Sequence, residues 1–267
     1  MALFGFIDSG IGGLTILEAV QSALPKSQFV YLADHQYAPY GNKTNAWLIQ
    51  RLHLLCDYII SQHSPDAIVI ACNTASTATL DYLRTTFDLP IIGVVPAIKQ
   101  AAERSPNNKI GLLATPGTCQ GHYSEKLITD FANEHLVIKV GTTTLVDMAE
   151  KKLQGEAVDM SILKDVIQPF IEHHCSHVVL GCTHFPHLRQ ELEQLAGEIN
   201  WIDSASAIAK RCRFILDQHR FTSNHQSTES IYLSTAPLPD QIDAILQPYQ
   251  FSRCHHVTRL DNYATTY

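Results

Sequence analysis

The chain has 267 residues, 45% of them apolar and 17% charged, and carries a net charge of −7. That balance is globular and excludes a disordered chain; with no basic block it also argues against nucleic acid or an anionic membrane as partner. Seven cysteines, at positions 56, 72, 119, 175, 182, 212 and 254, form no recognisable disulfide framework and fit a reducing cytoplasm. No run approaches the roughly 18 apolar residues of a membrane helix. The opening Met1-Ala2-Leu3-Phe4-Gly5-Phe6-Ile7-Asp8 has no basic segment and no long apolar stretch, so no signal peptide is expected.

In chain order, residues 3–7 read as a short apolar strand that breaks into the glycine-rich turn Asp8-Ser9-Gly10-Ile11-Gly12-Gly13, with a helix over 14–23. A second strand over 28–32 ends at Asp34. Residues 35–43 form an aromatic, turn-rich loop suited to covering a cleft, and Thr44 caps a helix to about residue 62. A third strand leads into Cys72, followed by a helix over 74–85 with Thr as its cap and a strand over 91–94. Pro96 marks a domain crossing. Beyond it, a strand over 109–114 runs into Thr115-Pro116-Gly117-Thr118 and one helix to residue 133. A strand over 136–140, a helix over 143–153 bearing Asp147 and Glu150, and a helix over 158–173 lead to a strand that ends at Cys182. A helix over 184–195, a strand at 201–203 and a helix over 204–218 follow. Residues 220–230 read as a loop, and a strand over 231–235, a helix over 240–246 and a strand near 256–257 form a tail that packs on the first domain. The strand–turn–helix pattern near Asp8 recurs near Thr115, and the Cys-x-Thr turn recurs later in the chain, a duplicated βα architecture.

The predicted fold is therefore α/β: two similar lobes, each a mostly parallel sheet flanked by helices, with the active site in the cleft between them. The lobes are 1–95 plus 206–267, and 96–205. Both Cys72 and Cys182 fall where an apolar strand ends and a polar Cys-x-Thr turn begins, the edge at which open α/β sheets bind ligands. A thiol near a helix N-terminus is favoured as thiolate, and a free cysteine titrates near ~8.5. Two such thiols suit the inversion of a carbon acid without a cofactor, one removing a proton and the other supplying one. Cys56, Cys119, Cys175, Cys212 and Cys254 read as buried packing.

Four motifs, in order over about residues 3–210, resemble the glutamate racemase family: Gly5-Phe6-Ile7-Asp8-Ser9-Gly10-Ile11-Gly12-Gly13-Leu14, Pro39-Tyr40-Gly41-Asn42-Lys43, Ala71-Cys72-Asn73-Thr74-Ala75-Ser76 and Leu180-Gly181-Cys182-Thr183-His184-Phe185-Pro186. The resemblance implies a cofactor-independent, two-thiol racemase that supplies D-glutamate for peptidoglycan. Cys72 would act on the D-enantiomer and Cys182 on the L-enantiomer, with Asp8 and His184 as their auxiliary groups. Ser9, Tyr40, Gly41, Asn73, Thr74 and Thr183 would bind substrate, and Asp34 and Glu150 match acidic positions associated with the site. Family analogy also points to a homodimer. On spacing alone, Asp8 reads equally well as a helix cap, and Glu150, next to Lys151, as a solvated helix face. His35-Gln36-Tyr37-Ala38 departs from the polar and basic run usual in the family. The last 50 residues match no motif. No N-terminal extension of the kind tied to activation by a cell-wall precursor precedes the first strand, so that regulation is not expected.

Four other readings compete, one of them a non-catalytic amino-acid-binding or regulatory protein on the same fold, against which both thiols, Asp8 and His184 argue. A zinc enzyme is suggested by His173, His174, Cys175, His177, Cys182 and His184, which crowd one region without the spacing of a zinc motif. Gly10-x-Gly12-Gly13 lacks the remaining features of a nucleotide-binding loop. An aspartate racemase stays open as the alternative, with Pro39-Tyr40-Gly41 favouring glutamate.

Overall fold

The computed structural model describes residues 2–218, 229–238, 241–258 and 260. β1 (Leu3–Asp8) is buried at every position, and so are β2 (Gln28–Ala33) and β3 (Ala67–Ile70). Continuous apolar runs of this kind are what strands covered by helices on both faces require. α1 (Leu14–Ala23) links the first two strands. α2 (Asn45–His63) starts at Thr44, whose hydroxyl accepts the Trp47 N–H at 3.3 Å, and stops at Ser64, in the left-handed region at φ 49° just before Pro65. α3 (Asn73–Thr86) and β4 (Ile91–Gly93) follow.

After Pro96 come α4 (Ile98–Arg104), β5 (Lys109–Ala114), α5 (Pro116–Gln120), α6 (His122–Phe131) and β6 (Leu136–Gly141). α7 (Thr144–Leu153) is followed by α8 (Met160–Glu172), whose N-cap Asp159 accepts the N–H groups of Ser161 and Ile162 at 3.0 and 3.1 Å. β7 (His177–Gly181), α9 (Arg189–Leu195) and β8 (Asn200–Ile202) complete this unit. The chain then returns with α10 (Ala205–Gln218), β9 (Ile231–Ser234), α11 (Ile242–Leu246) and β10 (Arg253–His256).

Two compact units result, Met1–Val94 with Ala205–Tyr267, and Val95–Ser204. The first sheet runs β10-β9-β2-β1-β3-β4 and the second β6-β5-β7-β8. Every strand pairing among the described residues is parallel. Numbered within each unit, both share the order second, first, third, fourth, so the duplication read from the turns holds at the level of strand order. In such an order the direction of winding reverses between the first and third strands, and the crevice beyond their carboxyl ends is the ligand-binding position. Asp8 and Cys72 lie at those ends in the first unit; Thr115 and Cys182 lie there in the second.

The tail extends the first sheet. β9 adds in parallel to β2, and Phe6, Tyr31 and Tyr232 form a row of stacked rings across β1, β2 and β9, with centroids 6.3 and 5.6 Å apart. α10 packs beside α1, and α2 beside α3.

Several local expectations are corrected. Cys72, not Thr74, is the N-cap of α3, because the helix starts at Asn73. The helix expected over 184–195 is a tight 3-10 turn, Phe185–Leu188, followed by α9, since Pro186 suits the first turn but delays regular helix. The single helix expected up to residue 133 breaks at Gly121, extended at φ −70° and ψ 141°, where a Cβ would sit 2.8 Å from the Gly117 carbonyl oxygen. Residues 35–43 hold two 3-10 turns, His35–Tyr37 and Tyr40–Asn42. Positions 220–228 of the expected loop and Asp240 of the expected helix lie outside the described residues. Among the described residues no helix is long and apolar enough to cross a membrane.

Gly13 starts α1 against the third strand. A Cβ there would lie 2.7 Å from the Tyr31 hydroxyl, 2.8 Å from Ala71 Cβ and 2.9 Å from the Ala71 carbonyl oxygen. Gly13→Ala should therefore cost about 1–3 kcal/mol, the range for overpacking a tight interior. A urea midpoint equal to that of wild type at unchanged slope would refute this close approach.

Candidate active site

The first unit gathers one group of predicted residues at the carboxyl edge of its sheet. Asp8, fully buried, ends β1; its Oδ2 accepts the Gly13 N–H at 2.7 Å and lies 3.3 Å from the Tyr31 hydroxyl. That hydroxyl also lies 3.0 Å from the Gly10 carbonyl oxygen, so one proton serves two acceptors and pins the turn. Burial first, and then the charge of Asp8, push the Tyr31 phenol well above its usual range and keep that proton in place. Asp8 is not the N-cap of α1, which is Gly13; its bond to the Gly13 N–H closes the turn before the helix and fixes the carboxylate at the strand end.

Cys72, only 6% exposed, occupies the N-cap of α3, at the positive end of the helix dipole. Ser76 holds this junction rigid: its hydroxyl donates to the Ile70 carbonyl oxygen and accepts the Val94 N–H, both at 2.9 Å. Ser9 and Thr74 are buried beside these strand ends. Asn73 is buried as well, and its Nδ2 has no hydrogen-bond partner among the described residues. A buried donor left unpaired costs about 1–3 kcal/mol, so this amide is suited to an incoming acceptor such as a carboxylate.

Tyr40 and Gly41 lie in the second 3-10 turn of the loop after β2. The Tyr40 hydroxyl is not directed to solvent: it donates to Asp34 Oδ2 at 2.6 Å. Burial, followed by the charge of Asp34, raises this phenol well above its usual range, so it remains a donor. With the hydroxyl committed, the first N–H groups of the turn are what Tyr40 and Gly41 can offer a ligand. Asp34 itself is fully occupied. Arg51 on α2 donates Nη2 to Oδ1 at 2.6 Å and Nε to Oδ2 at 2.8 Å, and the Thr235 hydroxyl donates to Oδ1 at 2.8 Å.

The second unit carries the other group. Cys182, 7% exposed, follows β7, and the Phe185 N–H closes a turn on its carbonyl oxygen at 3.1 Å. That turn brings His184 back toward the sulfur, with Nδ1 3.9 Å from Cys182 Sγ. The opposite ring nitrogen, Nε2, lies 2.7 Å from Glu150 Oε1. Glu150 is therefore not a solvated face residue. Leu145, Val146 and Ala149 pack into the core that holds Phe185 and Leu188, and Glu150, one helical turn after Val146, lies at the edge of that buried face beside His184. Lys152 fastens α7 to the same turn through the His187 carbonyl oxygen and Glu191, each at 2.8 Å. Burial acts to lower the pKa of His184, but hydrogen bonds to Cys182 and Glu150 outweigh it and hold the ring well above its ordinary value. The result is a sulfur, imidazole and carboxylate in series, able to stabilise a thiolate or move a proton to and from sulfur. Thr183, 3% exposed, sits between them in sequence.

Of the remaining thiols, Cys56, Cys119, Cys175 and Cys212 are buried packing groups, whereas Cys254, expected to be buried too, is only half-buried because its strand β10 is otherwise exposed. Burial pushes Cys119 and Cys175 up to about 11 and Cys212 up to about 12, and raises Cys56 further still. The histidine-rich segment does not assemble a metal centre: among the described residues no three His, Cys, Asp or Glu side chains converge as ligands, and His173 instead contacts the Pro169 carbonyl oxygen. Arg51 and Thr235 escaped the sequence reading, whereas Thr115 and Thr118, which it reads only as part of a turn, are buried and bonded to each other at 3.1 Å. The internal repeat offers a signal for the threonine pair, which follows β5 as Asp8 ends β1. No sequence signal marks Thr235.

The profile of the Asp/Glu/Hydantoin racemase family matches residues 14–212. The chain is similar to glutamate racemase of Shewanella sp. (strain MR-7), 39% identical with 96% of each chain covered. It is 41% identical to glutamate racemase of Histophilus somni (strain 129Pt), with 88% of each covered. Among solved structures it is similar to Escherichia coli glutamate racemase in complex with L-glutamate and the activator UDP-MurNAc-Ala, at a TM-score of 0.91 and 36% identity, covering 96% of this chain and 98% of that one. Fold and likeness define the class, an α/β isomerase that racemises amino acids. The chain belongs to the Asp/Glu/hydantoin racemase family.

The His184–Glu150 pair makes stability depend on pH in a defined sense. With its folded-state pKa raised, His184 contributes stability that is fully present below the unfolded imidazole value of about 6.5. That contribution is lost as the pH rises through the higher folded-state value. Glu150→Gln should shift the His184 ring titration, followed by NMR, downward. An unmoved titration would show that Glu150 does not charge the ring.

Proposed function

We propose that this racemase interconverts L- and D-glutamate with Cys72 and Cys182 as its two bases and without a cofactor. In one direction a thiolate takes the α-proton, the C–H electron pair stays on carbon, and the other thiol delivers its proton to the opposite face. Roles exchange in the reverse direction. The observation that carries this reading is the Cys182–His184–Glu150 series, which equips a strand-end thiol with its own proton relay. Asp8, rigidly held at the end of β1, serves Cys72 in the corresponding way.

Ser9, Asn73, Thr74, Thr183 and the N–H groups of Tyr40 and Gly41 hold the amino and carboxylate groups of the substrate. The unpaired Asn73 amide supports this, since a carboxylate oxygen would satisfy it. Glutamate is favoured by the Pro39-Tyr40-Gly41 motif and by the relatives that bear its name. On this reading the enzyme works in the cytoplasm, as a homodimer, and supplies D-glutamate for peptidoglycan.

The test is incubation with L- or D-glutamate in deuterated water, with no pyridoxal phosphate. Wild type should racemise the substrate and introduce deuterium at the α-carbon. Cys72→Ala and Cys182→Ala should each lower the rate on the order of a thousandfold, the scale of a lost general base. Full activity in both variants would reject the two-thiol mechanism, and faster turnover of aspartate than of glutamate would reject the substrate.

A further inference from the structure

We infer that Arg51 on α2 and Thr235 in the C-terminal tail are positioning residues that hold the Tyr40–Gly41 turn through Asp34. The inference rests on the reading that this turn binds substrate, and adds residues that neither motif nor family match assigns.

Asp34 is fully buried and receives four hydrogen bonds from three residues, distributed evenly over its two oxygens. Oδ2 takes the Tyr40 hydroxyl at 2.6 Å and Arg51 Nε at 2.8 Å. Oδ1 takes Arg51 Nη2 at 2.6 Å and the Thr235 hydroxyl at 2.8 Å. A guanidinium matches a carboxylate in this two-pronged way and a lysine ammonium does not. The Arg51 side chain is 10% exposed, so the pair is sheltered from solvent screening.

The same arginine controls the loop from a second side. Its guanidinium lies over the Tyr37 ring at 4.4 Å. Tyr37 in turn meets Trp47 at 5.3 Å, and Trp47 meets Tyr40 at 6.0 Å, closing a ring of contacts around both 3-10 turns. Thr235 secures the arrangement at the sheet, because its own N–H donates to the Ala33 carbonyl oxygen at 3.0 Å and its hydroxyl accepts the Gln36 N–H at 3.1 Å. A loop of turns and aromatics is thus tied to one helix and to the last residues of a distant strand. Removing either tie loosens the turn without touching a reacting atom, so binding should suffer more than turnover.

The experiment pairs substrate kinetics with a readout that needs no substrate. Arg51→Lys should raise KM for glutamate about tenfold, the size of one charge-assisted hydrogen bond, with kcat changed much less. Thr235→Val should raise KM by about threefold, and Thr235→Ser, which keeps the hydroxyl, should restore it. The chain has two tryptophans, and the Trp201 ring nitrogen makes no hydrogen bond among the described residues, so Trp201→Phe isolates Trp47 as a probe of the loop. In that background both Arg51→Lys and Thr235→Val should increase acrylamide quenching of Trp47, and Thr235→Ser should not. Unchanged quenching overturns the clamp whatever the substrate proves to be, and so does raised quenching with KM unaltered. A wild type that fails to racemise glutamate while the quenching results hold would instead sink the substrate assignment and support the clamp.

Discussion

Parallel pairing is the constraint on which this structure depends. Strands that run the same way deliver all their carboxyl ends to one edge, where helix N-termini and open backbone N–H groups also gather. With β1 between β2 and β3, and β5 between β6 and β7, winding reverses at one place in each sheet. Asp8 and Cys72 fall at that place in one unit, Thr115 and Cys182 in the other. Placing a thiol there requires no unusual backbone: Cys72 is simply the residue that caps α3, and Cys182 the one after β7.

The two thiols are nevertheless supported differently. Asp8 is engaged with its own turn, through the Gly13 N–H and the Tyr31 hydroxyl, and is immobile as a result. His184 reaches Cys182 from two residues away, and its other ring nitrogen meets a carboxylate from a separate helix. A duplicated scaffold thus carries unlike chemical surroundings at its two strand-end cysteines.

Much of this was legible in the residues because it is local. Fully buried strands such as residues 3–8 and 67–70 announce themselves as apolar runs, and the polar residues that interrupt them mark the site edge. Helix caps were legible where a side chain decides them, as at Thr44, and misplaced where geometry decides, as at Cys72. Pro186 and Gly121 broke elements that periodicity alone would continue. Glu150 was ambiguous because its role depends on which face of α7 is buried, a fact set by Phe185 and Leu188 on another element. Thr235 was invisible for a stronger reason: nothing local distinguishes a threonine at a strand end from one that bonds a carboxylate 201 positions earlier.

That separation has a consequence for how the chain comes into being. Residues Val95–Ser204 are contiguous, so their unit holds everything it needs once Ser204 has left the ribosome. The earlier unit is in the opposite position. β2 has no partner on its outer side, and Asp34 lacks one of its donors, until β9 and Thr235 have been synthesised. Domains tend to fold as units, amino-terminal first, during synthesis. Here the sequence order inverts that expectation: all strands of the contiguous second unit precede β9, the strand that covers the outer side of β2 in the first.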